Sequence, residues 1–128
     1  MKIKTFEDLS IWQEARELCK YVFKVTSGDL FSRDLRFRSQ IRGAAGSVMD
    51  NIAEGFSRGG KKEFIHFLYI AKGSCNEIRS QSYRALDFRF ISDTQHQEIL
   101  AHTASISKQI FALINYLKET KHIGHKFR

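Results

Sequence analysis

The chain has no proline in 128 residues and only two cysteines, Cys19 and Cys75. Without proline nothing forces a break inside a helix. Long uninterrupted helices are therefore favoured over a loop-rich architecture. Two cysteines cannot build a disulfide scaffold, which points to a reduced, cytoplasmic protein. Long apolar runs are also missing. The longest span only a few residues, far short of the roughly 20 that a membrane helix needs. Met1-Lys2-Ile3-Lys4 leads into charged residues rather than an apolar segment, so no signal peptide is expected. Acidic residues are scarce beside basic ones, 14 against 21, for a net charge of +7. That excess speaks to partners and solubility, not to fold.

What is present excludes disorder. Hydrophobic residues make up 42% of the chain, with 11 Phe, 4 Tyr and 1 Trp. The length suits one domain with a real core. Four helices are expected. The first runs from about Glu7 to Thr26, with Thr5 as N-cap and Asp8 completing a capping box. Leu9, Trp12, Ala15, Cys19, Val22 and Phe23 form its apolar stripe, and Gly28 is the natural residue just past its end. The second runs from about Arg33 to Phe56, capped by Ser32, with Ile41, Ala45, Val48, Ile52 and Phe56 on one face. Ser57-Arg58-Gly59-Gly60 is a turn. The third runs from about Lys61 to Phe88. The fourth starts at a Ser92–Gln95 capping box and reaches about Lys118, with Ile99, Thr103, Ile106, Ile110, Leu113 and Leu117 at bundle-seam spacing. Short loops make neighbours antiparallel. The expected fold is all-α, an antiparallel up-down-up-down four-helix bundle over residues 1–120, followed by a basic flexible tail over 121–128.

The charge is uneven. Residues 33–62 hold seven basic and three acidic groups, net +4, whereas residues 1–32 are balanced. The carriers are Arg33, Arg36, Arg38, Arg42, Arg58, Lys61 and Lys62. Five are Arg, whose planar fork suits bidentate phosphate contact and base stacking. An RNA- or DNA-binding face is one reading, and an ordinary solvated face is the other. Oligomerisation would multiply such a patch.

Two polar lines accompany the apolar ones. Gln40, Ser47, Asn51, Glu54 and Arg58 share a side of the second helix. Glu63, His66, Ile70, Gly73, Ser74, Glu77 and Gln81 lie along a matching line of the third. They read either as solvated sides or as a polar seam between helices or subunits, with Asn51, Glu54 and Glu77 paired to Arg42, Arg58 or backbone groups. Gly73 in mid-helix costs about 1 kcal/mol against Ala, and close helix packing is the simplest offset.

Catalytic constellations find little support. Glu63 and His66 have the Glu-x-x-His spacing of di-iron bundles, but a di-metal site needs two such motifs, and only one copy is present. Cys19 and Cys75 fall on apolar stripes and read as core thiols. Gly59-Gly60-Lys61 precedes a helix without the fuller phosphate-loop pattern. No enzyme activity, metal or cofactor is expected.

A set of residues resembles the 23S rRNA intervening-sequence protein family. It comprises Gln40-Ile41-Arg42, Ala44-Ala45, Ser47, Asn51-Ile52-Ala53-Glu54-Gly55-Phe56, Arg58, Glu63-Phe64, Phe67-Leu68, Ile70-Ala71, Gly73-Ser74 and Glu77. Phe6, Asp8-Leu9, Trp12 and Ala15 match the opening, and the resemblance covers about residues 5–118. Gly43 departs where a second basic residue is common, and Phe31-Ser32 where a proline is frequent. The resemblance implies an antiparallel four-helix bundle that assembles into a ring, typically a homopentamer, with no accepted enzymatic activity. A distantly similar bundle is a basic accessory partner of retroelement reverse transcriptases. The expected partners are therefore further copies of the chain, RNA or DNA, or a nucleic-acid-processing protein. The polar seam Gln40, Ser47, Asn51, Glu54, Gly73, Ser74 and Glu77 then reads as conformation-setting or subunit contact. The second expectation is a protein-interaction scaffold using Tyr69, Phe88, Phe90 and Phe111.

Overall fold

Asp8 opens the helical part of the chain. Its carboxylate accepts the backbone N–H groups of Lys4 at 2.9 Å and Thr5 at 3.0 Å. Those bonds hold its pKa below the usual carboxylate value. The turn they cap is a short 3-10 helix, Phe6–Asp8, and α1 proper spans Ser10–Val25. The computed structural model describes residues 2–120, so the tail expected over 121–128 lies outside the described residues.

The apolar face of α1 is rotated from the expected one. Its buried residues are Ile11, Ala15, Leu18, Val22 and Val25, a 4-3-4-3 seam. Trp12 and Cys19 are half-buried at its margin. Phe23 is 58% exposed, with the Arg42 guanidinium 4.1 Å above its ring. The end of α1 also differs. Gly28 has an ordinary negative φ of −69° and caps the next helical turn, α2 (Asp29–Ser32). Hydroxyls satisfy the last carbonyls instead. Thr26 Oγ1 donates to Val22 O and Ser27 Oγ to Phe23 O, both at 2.7 Å.

Because α2 takes Ser32 into its own turn, Ser32 is not the cap of the long second helix. Asp34 is, and its carboxylate accepts the Phe37 N–H at 3.0 Å. That helix, α3, spans Leu35–Ser57. Gly59 then adopts φ 82°, a left-handed conformation that favours glycine, and α4 spans Lys61–Asp87. The capping box at Ser92 and Gln95 forms as expected, with bonds of 2.9 and 3.1 Å, and launches α5 (Asp93–Glu119).

Among the described residues every regular element is helical. α3 packs on α4, α4 on α5, and α1 on both α3 and α5. Contacts along adjoining pairs run in opposite order. Ser47 meets Ser74, whereas Gly55 further along α3 meets Phe67 earlier on α4. Arg79 reaches Thr103, while Tyr69 reaches Lys118. Ser10 bonds Gln109, while Tyr21 lies against His102. The core between the helices includes Leu18, Val22, Ile41, Val48, Ile52, Leu68, Ile78, Ile99, Ile106, Ile110 and Leu117. Ile114, which lies off the expected seam, is fully buried, whereas Leu113 on that seam is half-buried.

The close-packed glycine is Gly55, not Gly73. A Cβ at Gly55 would lie 2.6 Å from the Phe67 Cβ, so here α3 and α4 approach too closely for any side chain. At Gly73, and at Gly43 and Gly46 on α3, a Cβ would meet nothing within 4 Å.

Candidate nucleic-acid interface

The seven expected cations divide between the two ends of α3. A helix of 23 residues is roughly 35 Å long. Arg33, Arg36, Arg38 and Arg42 stand at one end, and Arg58, Lys61 and Lys62 at the other.

At the N-terminal end Arg33 and Arg36 are exposed. Arg38 is half-buried and donates from Nη1 to Ser32 Oγ at 3.3 Å. Arg42 is anchored. Its Nε donates to Thr26 Oγ1 at 2.8 Å and its Nη2 to Ser27 Oγ at 3.2 Å. Desolvation and the neighbouring Arg38 charge lower its pKa, from a value high enough to leave the guanidinium charged at neutral pH. Asp34, the nearest carboxylate in sequence, is committed to capping α3.

The fold adds two cations here that the charge count along the sequence could not find. The Arg84 guanidinium sits 4.5 Å over the Phe37 ring, which brings the end of α4 to the start of α3. Arg89 follows α4 with φ 62°, the one non-glycine residue with positive φ among those described. Residues 63–92 carry nearly balanced charge, so only tertiary packing reveals these arginines. Four rings hold this end together. Phe31 packs on Phe37 and Phe90 at 5.3 and 5.0 Å, and Phe88 packs on Phe90 at 5.9 Å.

The C-terminal end of α3 is more self-engaged. Arg58 pairs with Glu54 at 2.7 Å and lies 5.1 Å over Phe67. Lys61 donates to the Thr120 carbonyl at 2.6 Å, tying the start of α4 to the end of α5. Lys62 is exposed.

The polar seam is partly assembled within the chain. Ser74 Oγ bonds Ser47 Oγ across the α3–α4 contact at 2.9 Å. Asn51 Nδ2 donates to the Ser47 carbonyl at 2.8 Å and to Ser47 Oγ at 2.9 Å. Glu54 pairs outward with Arg58, while Glu77 accepts from Gln81 at 3.3 Å rather than from an arginine. Gln40 and Gly73 are exposed.

Both thiols are suppressed. Burial pushes Cys19 and Cys75 to about 11, so neither is a thiolate at neutral pH. Among the described residues no group of three or more His, Cys, Asp and Glu is placed to hold a metal ion. The His66 ring packs against Phe67 at 5.4 Å. A shallow depression of about 340 Å³ between α1 and α5 is lined by Glu14, Glu17, Glu98, Ala101, His102 and Ser105. No helix among the described residues is long and apolar enough to cross a membrane.

A family model described as 23S rRNA-intervening sequence protein matches residues 7–112. A crystal structure from Bacteroides thetaiotaomicron VPI-5482, described as a protein with unknown function from the S23 ribosomal protein family, superposes with a TM-score of 0.74. It is 20% identical and covers 81% of this chain and 97% of its own, which establishes the shared fold. No curated protein matches the chain.

Proposed function

The chain belongs to the 23S rRNA-intervening sequence protein family, and from that premise we propose that it is a non-enzymatic, oligomeric protein that binds RNA or other nucleic acid. Its scaffold on this reading is an antiparallel up-down-up-down four-helix bundle. The opposite order of contacts along each adjoining helix pair supports that topology. The observation that carries the function is the basic end of α3. Arg33, Arg36, Arg38 and Arg42 are joined there by Arg84 and Arg89 around a cluster of phenylalanines, while Asp34 is occupied as a cap.

Phosphate contacts by such a patch give affinity that falls steeply with salt. The test is titration with structured RNA at rising salt. Binding at low salt that weakens in Arg36→Gln/Arg38→Gln supports the reading. No binding at low salt, or binding indifferent to both substitutions, removes it. The self-assembly, expected as a homopentamer, is tested by light scattering, and a monomer mass at micromolar concentration refutes it. The open faces at Gly43, Gly46 and Gly73 fit close approach by another copy.

The exposed rings of Tyr69, Phe88 and Phe111 favour a second reading, a protein-interaction scaffold with no nucleic-acid contact. A partner protein that stays bound after nuclease treatment, together with absent RNA binding, would select it.

A further inference from the structure

The groove where α4 meets α5 combines cations and rings that touch one another across the two helices. On α4 the positions at steps of three and four are Tyr69, Lys72, Asn76, Arg79 and Tyr83, one line about 21 Å long. Several of them reach across to α5. Lys118 Nζ donates to the Tyr69 hydroxyl at 2.9 Å and lies 5.4 Å over its ring. Lys72 Nζ lies 5.1 Å over the Phe111 ring. Arg79 donates to the Leu100 carbonyl at 2.9 Å and to Thr103 Oγ1 at 3.0 Å. Tyr83 packs edge-on against His96 at 4.5 Å. Tyr69, Phe111 and Tyr83 nevertheless remain 47, 52 and 50% exposed. The opposite flank of α5 has the reverse character, since its groove with α1 presents Glu14, Glu17 and Glu98.

We propose that the α4/α5 groove is a track for single-stranded nucleic acid. Bases stack on Tyr69, Phe111 and Tyr83, and phosphates pair with Lys72, Arg79 and Lys118. The proposal rests on the reading of the chain as a nucleic-acid binder. It adds a second surface and a strand state. Half-exposed rings gain most from unpaired bases, because a duplex hides its base faces. Cation–ring contacts are weak at exposed sites, so a base can displace an ammonium from a ring and offer it a phosphate instead. Cations along one line are complementary to a polyanion and penalise a neutral peptide.

The test uses the full chain and an unstructured labelled oligonucleotide of about 12 nucleotides, as RNA and as DNA, beside a duplex of equal length. Fluorescence anisotropy at several salt concentrations reads affinity, and light scattering reads mass. The wild type is expected to prefer the single strand. Tyr69→Leu/Phe111→Leu should weaken that binding roughly tenfold or more without changing the salt slope. Lys72→Gln/Lys118→Gln should lower the slope by about two. Tyr69→Phe, which keeps the ring, should bind nearly as the wild type does. If the wild type binds neither form at low salt, this proposal and the broader reading both fall. If it binds, and only Arg36→Gln/Arg38→Gln weakens binding, the broader reading stands and the groove proposal falls. The groove proposal also falls if the ring variants shift the oligomer mass and leave binding intact, which would make the groove a contact between copies.

Discussion

The two ends of α3 carry similar cations in sequence and treat them differently in space. At the C-terminal end two of the three cations are engaged, and Lys62 stays exposed. Arg58 has Glu54 one turn away, and Lys61 holds the Thr120 carbonyl at the end of α5. At the N-terminal end Asp34 spends an oxygen on the Phe37 N–H, while Asp29 of α2 and Asp87 at the end of α4 are the other acidic residues there. Arg33 and Arg36 stand exposed. Charge counted along a chain therefore overstates one end and understates the other. What decides the field is which side chains the fold brings together, as it brings Arg84 and Arg89, with Asp87 between them, to this end.

The difference in packing can be broken most forcefully at Gly55. Gly55→Ala places a Cβ against the Phe67 Cβ at the tight end and should cost about 1–3 kcal/mol of stability. Gly43→Ala, on the same helix with open space around it, should instead stabilise by about 0.5–1 kcal/mol. Thermal or urea unfolding of the two variants measures this opposition. A lower oligomer mass in Gly43→Ala would show that another copy lies on that face.

The electrostatic difference is next in size. Arg36→Gln/Arg38→Gln should weaken RNA binding roughly tenfold, about 1.4 kcal/mol, and lower the salt slope by about two. Arg58→Gln, with its charge already paired to Glu54, should change the slope by less. Equal slopes for the two variants would erase the proposed asymmetry. Asp34→Ala should then cost about 1 kcal/mol through loss of the α3 cap. Chemical denaturation reads this, and no change in stability would mean the cap contributes nothing.

The smallest effect concerns acid. The Asp8 turn leans on the C-terminal end of α3. Its folded pKa lies below the ordinary 3.8 because backbone N–H groups bind the carboxylate. Its stabilising contribution is therefore complete above 3.8 and is lost as pH falls through the lower folded value. Asp8→Asn should be slightly less stable at neutral pH and should flatten the acid limb of a melting-temperature profile. An unchanged limb would detach Asp8 from the cap.

Helix positions were legible because caps and apolar periodicity are local. Ser92 and Gln95 can be read directly, and so can the seam from Ile99 to Leu117. One failure is also local in origin. Ser32 and Asp34 both resemble N-caps, and the choice depends on the extra turn Asp29–Ser32, which buries Phe31. On α1 two stripes compete, and Ile11, Leu18 and Val25 win because α3 and α5 both pack there. The polar seam was legible as a line of residues. Its pairing was not, because Ser47 to Ser74 is a relation between helices. Arg84 at the basic end was hidden for the same reason.

The Ser47–Ser74 bond and the Gly55–Phe67 contact act as two marks on one ruler. They lie about 12 Å apart along α3 and about 10 Å apart along α4 at 1.5 Å per residue. Sliding either helix by one turn, about 5.4 Å, would part the hydroxyls and move the Phe67 Cβ off the glycine that makes room for it. The pair can tilt or travel only as a single stiff rod. The two contacts together fix one register between these helices.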